Sequence, residues 1–143
     1  MTAAPIAAAT GTRAHYEVAT AQAFFQTIAT KDFAALPTVL HPDATWNHHN
    51  QDRFAGIHRG IDGIGGFMAE AMELTAGTLQ PLPQTIMADG NGHVAVLLRL
   101  VGTRPDGRST SDLQMLLLTY DGDRVRSIDH FVGDPQEVKE FWA

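Results

Sequence analysis

The chain of 143 residues contains no cysteine, which excludes disulfide bonds and thiolate chemistry. Basic residues are also scarce: ten Lys and Arg stand against sixteen Asp and Glu, and they form no cluster. Nucleic acids and anionic membranes require a concentrated Lys/Arg surface, so the formal charge of -6 argues against both as partners. No apolar run approaches the roughly 20 residues that cross a bilayer. We therefore expect a cytoplasmic protein whose partner is a small molecule or another protein.

The composition predicts one globular domain. Hydrophobic residues make up 44% of the chain and charged residues 18%, and the length suits a single core. The beginning, "MTAAPIAAATGTRAHYE", is rich in alanine but lacks the basic region and sustained apolar core of a signal peptide. We expect a loose tail over residues 1–11 and a single domain over residues 12–143.

The first half of the chain has helical patterns. Between Arg13 and Thr30 the apolar residues recur at i, i+3, i+4 and i+7, which predicts a long amphipathic helix. A short second helix follows and is limited by Pro37. After the short strand "ATWNHHN", a third helix has an apolar face that consists of Ile61, Ile64, Met68, Ala71 and Met72.

The second half reads as strands separated by turns. The turn signals are "DGNG" at 89–92, "RPDGR" at 104–108 and "DGD" at 121–123. A terminal helix is indicated by Asp134 at the N-cap, Pro135 at the first position and Glu137 at N3. Helices followed by hairpin-connected strands predict an α+β domain, with the helices over a cone-shaped, curved antiparallel sheet that encloses a pocket.

Two strands are apolar on both faces. Val94, Val96, Leu98 and Leu100 lie on one face of the first, while Ala95, Leu97 and Val101 lie on the other. A sheet face in contact with water should instead alternate apolar and polar residues. We therefore predict a homodimer through the outer face of the sheet.

The order of these elements, with "HPDATW", "GIHRGIDGI" and the ending "RVRSIDHFVGDPQEVKEFW", resembles the nuclear transport factor 2-like superfamily. Within it, the chain is similar to the SnoaL-like and ketosteroid-isomerase-like small-molecule enzymes over about residues 13–142. The resemblance implies the fold more than the reaction, because this fold carries isomerases, dehydratases, cyclases, epoxide hydrolases and binding proteins.

The resemblance to ketosteroid isomerases implies a general base in the strand "DATWNH", where His48 takes the place of their aspartate. Their two oxyanion donors, a tyrosine and a protonated aspartate, match Phe24 and Leu116 here. Both donors are therefore missing. The resemblance to limonene-epoxide hydrolases implies that Arg99 matches their bridging arginine, with Val101 and His130 near the positions of their aspartates.

The adjacent histidines of "TWNHHN" point to opposite faces if the segment is a strand. If His48 occupies the position of the base, as the resemblance implies, Trp46, His48 and Asn50 face the pocket and His49 faces outward. An adjacent pair on a strand makes a poor metal chelate, so no metal site is expected. In "IDHFV" the alternation leaves two registers open. Either His130 or Asp129 faces the pocket, and we favour His130.

These residues suggest a cofactor-independent acid–base enzyme, with catalytic residues His48, His130 and Arg99. His48 would take a proton, Arg99 with Gln114 or Trp46 would stabilise an oxyanion, and His130 would return the proton. The predicted substrate-binding residues are Trp46, Gln114, Asp112, Phe24 and Leu116. The expected substrate is a small apolar carbonyl compound, such as a polyketide or terpenoid intermediate, and the reaction is isomerisation, cyclisation or dehydration.

Two alternatives remain open from the sequence. One is a non-catalytic domain that binds a small molecule in the same pocket or recruits a protein at the dimer face. The other is an epoxide-opening hydrolase or cyclase that uses Arg99 with Asp112 or Asp129. It requires an inward carboxylate beside the arginine.

Overall fold

The computed structural model describes residues 6–8 and 11–143. Within these residues the helices are α1 (Gly11–Ala29), α2 (Leu36–Val39), α3 (Gly60–Leu74) and α4 (Pro135–Trp142). The strands are β1 (Ile6–Ala8), β2 (Leu40–His48), β3 (Gly56–Arg59), β4 (Gln80–Ala88), β5 (His93–Thr103), β6 (Ser109–Asp121) and β7 (Arg124–Phe131). A 3-10 turn, Phe33–Ala35, precedes α2. No helix in the described ranges is long and apolar enough to cross a membrane.

The strands form one sheet in the order β1-β4-β5-β6-β7-β2-β3. Strands β4 to β7 are the predicted antiparallel meander, but β2 pairs parallel to β7 and β1 pairs parallel to β4. The sheet is therefore mixed: the predicted antiparallel meander is present, and parallel pairs join β2 and β1 to it. The chain between β2 and β7 contains β3, α3 and the strands β4 to β6, so no hairpin forces β2 and β7 to run in opposite directions.

The predicted loose tail is wrong for residues 6–8, which form β1 and align Ile6 with Thr85 of β4. Strand β4 would otherwise present unpaired backbone groups on that side, and an extended segment of almost any composition can pair with them. Residues 1–5, 9 and 10 lie outside the described residues.

The helices cover one face of a bent sheet, which confirms the α+β class. Register shifts interrupt the β2–β7, β4–β5 and β6–β7 ladders, and such bulges bend strands. Helix α1 contacts β4 and α3 contacts β2. The apolar face of α1 is buried, as its spacing predicts, and consists of Ala14, Val18, Ala21, Phe24, Phe25 and Ile28.

Helix α4 closes one end of this layer. The Asp134 carboxylate accepts a hydrogen bond from the Glu137 N–H at 3.1 Å, which confirms the predicted N-cap. At the other end Arg108 donates to the carbonyl of Glu140 at 3.0 Å and Arg104 to that of Phe141 at 2.9 Å. The last carbonyls of a helix lack the regular partners of its interior, and among the described residues the Glu140 carbonyl accepts otherwise only from the C-cap Ala143 N–H at 3.4 Å. The two arginines therefore hold the end of α4 in place.

Candidate active site

A cavity of about 80 Å³ lies between the inner face of the sheet and helices α1, α3 and α4. Its walls are mainly apolar and include Phe25, Phe67, Met68, Met72, Leu98, Leu116, Val138 and Trp142. Its polar side chains are Trp46, His48, Asp52, Gln114 and His130. An apolar cavity with a few convergent polar groups is typical of a small-molecule site.

His48 and His130 face each other inside this cavity. They occupy paired positions on the parallel strands β2 and β7, and their ring centroids are 4.5 Å apart. Each is buried, with exposed fractions of 7% and 8%. The neighbouring residues His49 and Asp129 lie on the opposite face, where Nε2 and Oδ1 are 2.7 Å apart. Of the two registers left open by the sequence, the structure has His130 in the cavity.

Four side chains form a continuous hydrogen-bonded chain, which we call the relay: Trp46, His130, Gln114 and Asp112. Trp46 Nε1 donates to His130 Nδ1 at 3.1 Å. His130 Nε2 lies 2.6 Å from Gln114 Oε1, and Gln114 Nε2 donates to Asp112 Oδ2 at 3.1 Å.

The two ends of the relay determine its direction. An indole N–H can only donate, and a carboxylate can only accept. Trp46 therefore requires a lone pair on His130 Nδ1, and Asp112 requires the amide nitrogen of Gln114, so that Gln114 Oε1 faces His130. The proton of neutral His130 is consequently on Nε2, and both of its ring nitrogens are already engaged.

Asp112 is buried but does not line the cavity, which corrects its predicted role in substrate binding. Its Oδ2 accepts from the Gly133 N–H at 2.9 Å and its Oδ1 from the Asp134 N–H at 3.0 Å. The side chain of Asp112 points to the inner face of the sheet, as its alternation along β6 predicted. The segment that leads into α4 covers this end of β6 and separates Asp112 from the cavity. Asp112 therefore joins the relay to the start of α4.

Burial keeps both cavity histidines neutral at pH 7. The pKa of His48 is lowered to about 2, mainly by burial and to a lesser extent by the neighbouring His130, His58 and His49. Burial also lowers the pKa of His130 to about 3, with a smaller contribution from His49. A charged imidazole loses its hydration in such a place, and a second one nearby adds repulsion.

His48 differs from His130 because neither of its ring nitrogens is hydrogen-bonded within the described part of the chain, and its Nδ1 is fully buried. Aromatic rings hold it instead. Trp46 stacks on it at 6.0 Å and 10°, and Phe67 meets it edge-on at 5.0 Å. Buried polar atoms normally have a partner, so an unpaired imidazole in a cavity is a candidate for contact with a ligand.

Asp52 lines the cavity and was missed from the sequence. It lies in the loop after β2, where its carboxylate accepts from the Phe54 N–H at 2.8 Å and from the Asn50 side-chain amide. Burial raises the pKa of Asp52, and these two hydrogen bonds oppose the rise. The loop "NQDRF" has no periodicity from which an inward side chain could be predicted. His58 also lies beside the site, with its ring centroid 5.3 Å from that of His48.

Arg99 does not line the cavity, where its predicted catalytic role would require it to lie. It lies on the outer face of β5 with the parity of Ala95 and Leu97, and its Nη1 donates to the carbonyl and hydroxyl of Ser111 at 3.1 and 3.3 Å. The match to the epoxide-hydrolase arginine identified a position along the strand, but it did not identify the face of the sheet on which the side chain lies. With Asp129 also outside, the structure does not form the arginine–carboxylate pair that the epoxide-opening alternative requires.

The two positions carried over from the isomerase oxyanion hole differ in outcome. Leu116 lines the cavity. Phe24 is fully buried behind it and packs on Trp46 with ring centroids 6.0 Å apart, while its neighbour Phe25 lines the wall. Adjacent residues on a helix point about 100° apart, so a one-residue error in the match exchanges them. Phe24 therefore packs against Trp46 and does not line the cavity.

No group of three or more His, Asp or Glu side chains within the described ranges is arranged to hold a metal ion. The sequence resembles that of the uncharacterised protein Rv0034 of Mycobacterium tuberculosis (strain ATCC 25618 / H37Rv), with 25% identity over 119 residues, 83% of this chain and 90% of that protein. The uncharacterised protein Mb0035 of Mycobacterium bovis matches with the same identity and coverage.

Solved structures share the fold. Bal32a from a soil-derived mobile gene cassette superposes with a TM-score of 0.87 at 20% identity, covering 92% of this chain and 100% of Bal32a. A Xanthomonas campestris protein with a cystatin-like fold has a TM-score of 0.81 at 26% identity and covers 89% of this chain and 98% of its own. A protein from Jannaschia sp. CCS1 described as a SnoaL-like polyketide cyclase has a TM-score of 0.77 at 17% identity, covering 93% and 95%.

The model of the SnoaL-like domain matches residues 21–132, which include α1 from its second half, the relay and both cavity histidines. This match extends over most of the chain and agrees with the resemblance seen in the sequence. The chain belongs to the SnoaL-like domain family.

Proposed function

We propose that this chain is a cytoplasmic, cofactor-independent acid–base enzyme that isomerises, cyclises or dehydrates a small apolar carbonyl compound, such as a polyketide or terpenoid intermediate. The observation that carries this proposal is His48, a neutral imidazole with two free nitrogens in a largely apolar cavity. A neutral imidazole can take a proton from a carbon next to a carbonyl group or from a hydroxyl group.

The charges formed in this step can stabilise each other. Once His48 has taken a proton, the imidazolium stands beside the enolate it has produced, and a low-dielectric cavity strengthens their attraction. Gln114 has a second amide hydrogen that the relay does not use, so it is the candidate donor to the oxyanion. Trp46 is a weaker candidate because its N–H is already bonded to His130.

His130 has neither a free lone pair nor a free proton, so the predicted return of the proton by His130 would require the relay to open. We therefore assign the return step to His48 itself. The same imidazolium can deliver its proton to a different carbon or to a hydroxyl group that leaves. His130 is then a positioning residue that packs against His48 at 4.5 Å.

A non-catalytic binding domain is the second candidate, and the low pKa of His48, about 2, favours it. A base of such low pKa removes protons from carbon only if the substrate raises it on binding. The two candidates therefore differ in whether bound ligand exchanges protons.

The test is deuterium incorporation into 3-methyl-2-butanone in D₂O, followed by NMR. We expect the protein to accelerate exchange at the carbons next to the carbonyl group, and His48→Gln to lose roughly 10²-fold or more of this acceleration. The matched control is His49→Gln, which changes the adjacent residue on the outer face and should retain it. Binding of the ketone without exchange would favour the binding domain instead.

We further propose that a second copy of the chain covers the outer face of the sheet. Side chains exposed there include Met87 (47%), Leu113 (38%), Met115 (48%) and Phe131 (44%). They adjoin the outward residues Ala95, Leu97 and Leu117 through the strand registers, and a contiguous apolar patch on a sheet is typical of an interface. Light scattering should give twice the chain mass, and Met115→Glu should reduce it to a monomer. A monomeric wild-type protein would contradict this proposal.

A further inference from the structure

The walls of the cavity carry no permanent positive charge. None of the described residues that line it is lysine or arginine, and Asp52 is its one carboxylate. An anion placed inside would therefore leave water without a cation to pair with and with a carboxylate in the same cavity. Burying a charge without a partner is strongly unfavourable.

His130 cannot supply the missing charge while the relay is intact. Protonation would place an N–H on Nδ1, directly opposite the N–H that Trp46 already donates at 3.1 Å. Two donors cannot share that hydrogen bond. The direction of the relay, set by Trp46 and Asp112, therefore holds His130 neutral.

His48 could become charged only against its surroundings. The titratable groups around it are His130 on β7, His58 on β3, the adjacent His49 and Asp52 in the loop after β2. Helix α3 faces it with Phe67, and Trp46 stacks on its other side. Burial opposes a proton on His48, and Asp52 is the one carboxylate among the described residues that line the cavity.

As a neutral ring, His48 offers one N–H and one lone pair, and no described residue determines which nitrogen carries the proton. A ligand oxygen can accept from the first, and a ligand hydroxyl can donate to the second. The geometry points to an uncharged ligand: we propose that the cavity takes neutral ketones, enols or alcohols with an apolar body, directs their oxygen to His48, and excludes carboxylates and phosphates.

This inference rests on the proposed acid–base function and defines its substrate class. The cavity volume of about 80 Å³ also limits size. It is smaller than the roughly 150 Å³ that holds benzene in an engineered apolar cavity. A larger intermediate therefore requires the walls to move. Met68 and Met72 of α3 are suited to this, because methionine side chains adapt their shape readily.

The test compares 3-methyl-2-butanone with isobutyrate. The two have the same arrangement of non-hydrogen atoms, and the methyl group next to the carbonyl of the ketone is replaced by a carboxylate oxygen in isobutyrate. Each is titrated into the full-length protein at pH 7.5, and the ring signals of His48 are followed by NMR. We expect the ketone to bind about 100-fold more tightly, since the carboxylate would be buried unpaired. Isobutyrate should bind about tenfold more tightly for each unit of decrease in pH, because it must enter with a proton.

Equal binding of the two compounds at pH 7.5, or no binding of the ketone, would overturn the inference. Deuterium exchange of the ketone separates this outcome from the function. Exchange without selectivity refutes the substrate class alone, and selectivity without exchange refutes the enzyme alone.

The variant Asp52→Asn tests which feature of the cavity excludes anions, its single carboxylate or its lack of a cation. Asp129→Asn on the outer face is the matched control. We expect Asp52→Asn to reduce the ratio of ketone to isobutyrate affinity several-fold. The variant should still bind the ketone more tightly, because the wall lacks a cation. The control should keep the full preference. A preference for isobutyrate in Asp52→Asn would show that Asp52 alone excludes anions, and would contradict the argument from the cation-free wall.

Discussion

The two cavity histidines should make the stability of the protein depend steeply on pH between 7 and 5. Their pKa values in the folded protein are about 2 for His48 and about 3 for His130, against an ordinary histidine pKa of 6.5. The unfolded chain therefore takes up two protons below pH 6.5 that the folded chain does not. The stability from neutral burial is complete above pH 6.5 and is lost as pH falls toward 3.

The magnitude follows from the size of these shifts. One pH unit below 6.5 costs about 1.4 kcal/mol for each group, so the loss at pH 5 is about 2 kcal/mol per histidine and about 4 kcal/mol for both. That is a large part of the 5 to 15 kcal/mol typical of a domain. Asp52 acts in the opposite direction, because its raised pKa adds stability once it is protonated. Asp89 and Asp106, with lowered pKa values, contribute a loss only below about pH 4.

The assay is urea denaturation at pH 7, 6 and 5. We expect the wild type to lose several kcal/mol over this range, and His48→Gln to lose about 2 kcal/mol less than the wild type. His15→Gln, an exposed position on α1, should leave the pH dependence unchanged. A wild-type free energy of unfolding that stays constant within about 0.5 kcal/mol from pH 7 to pH 5 would show that both rings protonate freely in the folded state. The conclusion that His48 and His130 are buried as neutral rings would then be refuted.

Two further predictions concern the relay and the segment before α4. Nitrogen NMR should show His130 with its proton on Nε2 at pH 7. Asp112→Asn should disturb this state, because an amide nitrogen would replace one of the oxygens that accept from Gly133, Asp134 and Gln114. An unchanged His130 spectrum in that variant would refute the direction of the relay. Gly133→Ala should destabilise the protein by roughly 1 to 3 kcal/mol in urea denaturation, since its Cβ would lie 2.3 Å from the carbonyl oxygen of Leu113. The control Gly66→Ala in α3, with nothing within 4 Å, should gain about 0.5 to 1 kcal/mol; equal effects of the two substitutions would contradict the close packing at Gly133.

Local patterns were sufficient for most of the elements. The spacing of apolar residues predicted α1 and α3, the Gly/Asp turns predicted the meander, and Asp134 with Pro135 and Glu137 predicted the start of α4. These features depend on residues close together in the chain. The parallel pairing of β2 with β7 was not predictable in this way, because its partners are more than 80 residues apart and nothing local sets their direction.

At the site, strand alternation correctly separated His48 from His49, since the period of two holds wherever the segment is a strand. Arg99 was misplaced because a family match identifies a strand position without identifying which face it occupies. Asp52 was missed because loops have no periodicity from which to infer an inward side chain.

The sequence by itself determined the class of the domain, its membership of the SnoaL-like family and the presence of histidine in the pocket-facing strand. The class of the domain follows from periodicity and turn residues, while the family follows from the match to the SnoaL-like domain over residues 21–132. Only the tertiary structure decided that both ring nitrogens of His130 are hydrogen-bonded while those of His48 have no partner among the described residues. That difference depends on Trp46 of β2 and on Gln114 and Asp112 of β6, which the fold brings next to His130. The chemistry of an imidazole is set by its hydrogen-bond partners and its burial, and both are properties of the folded chain.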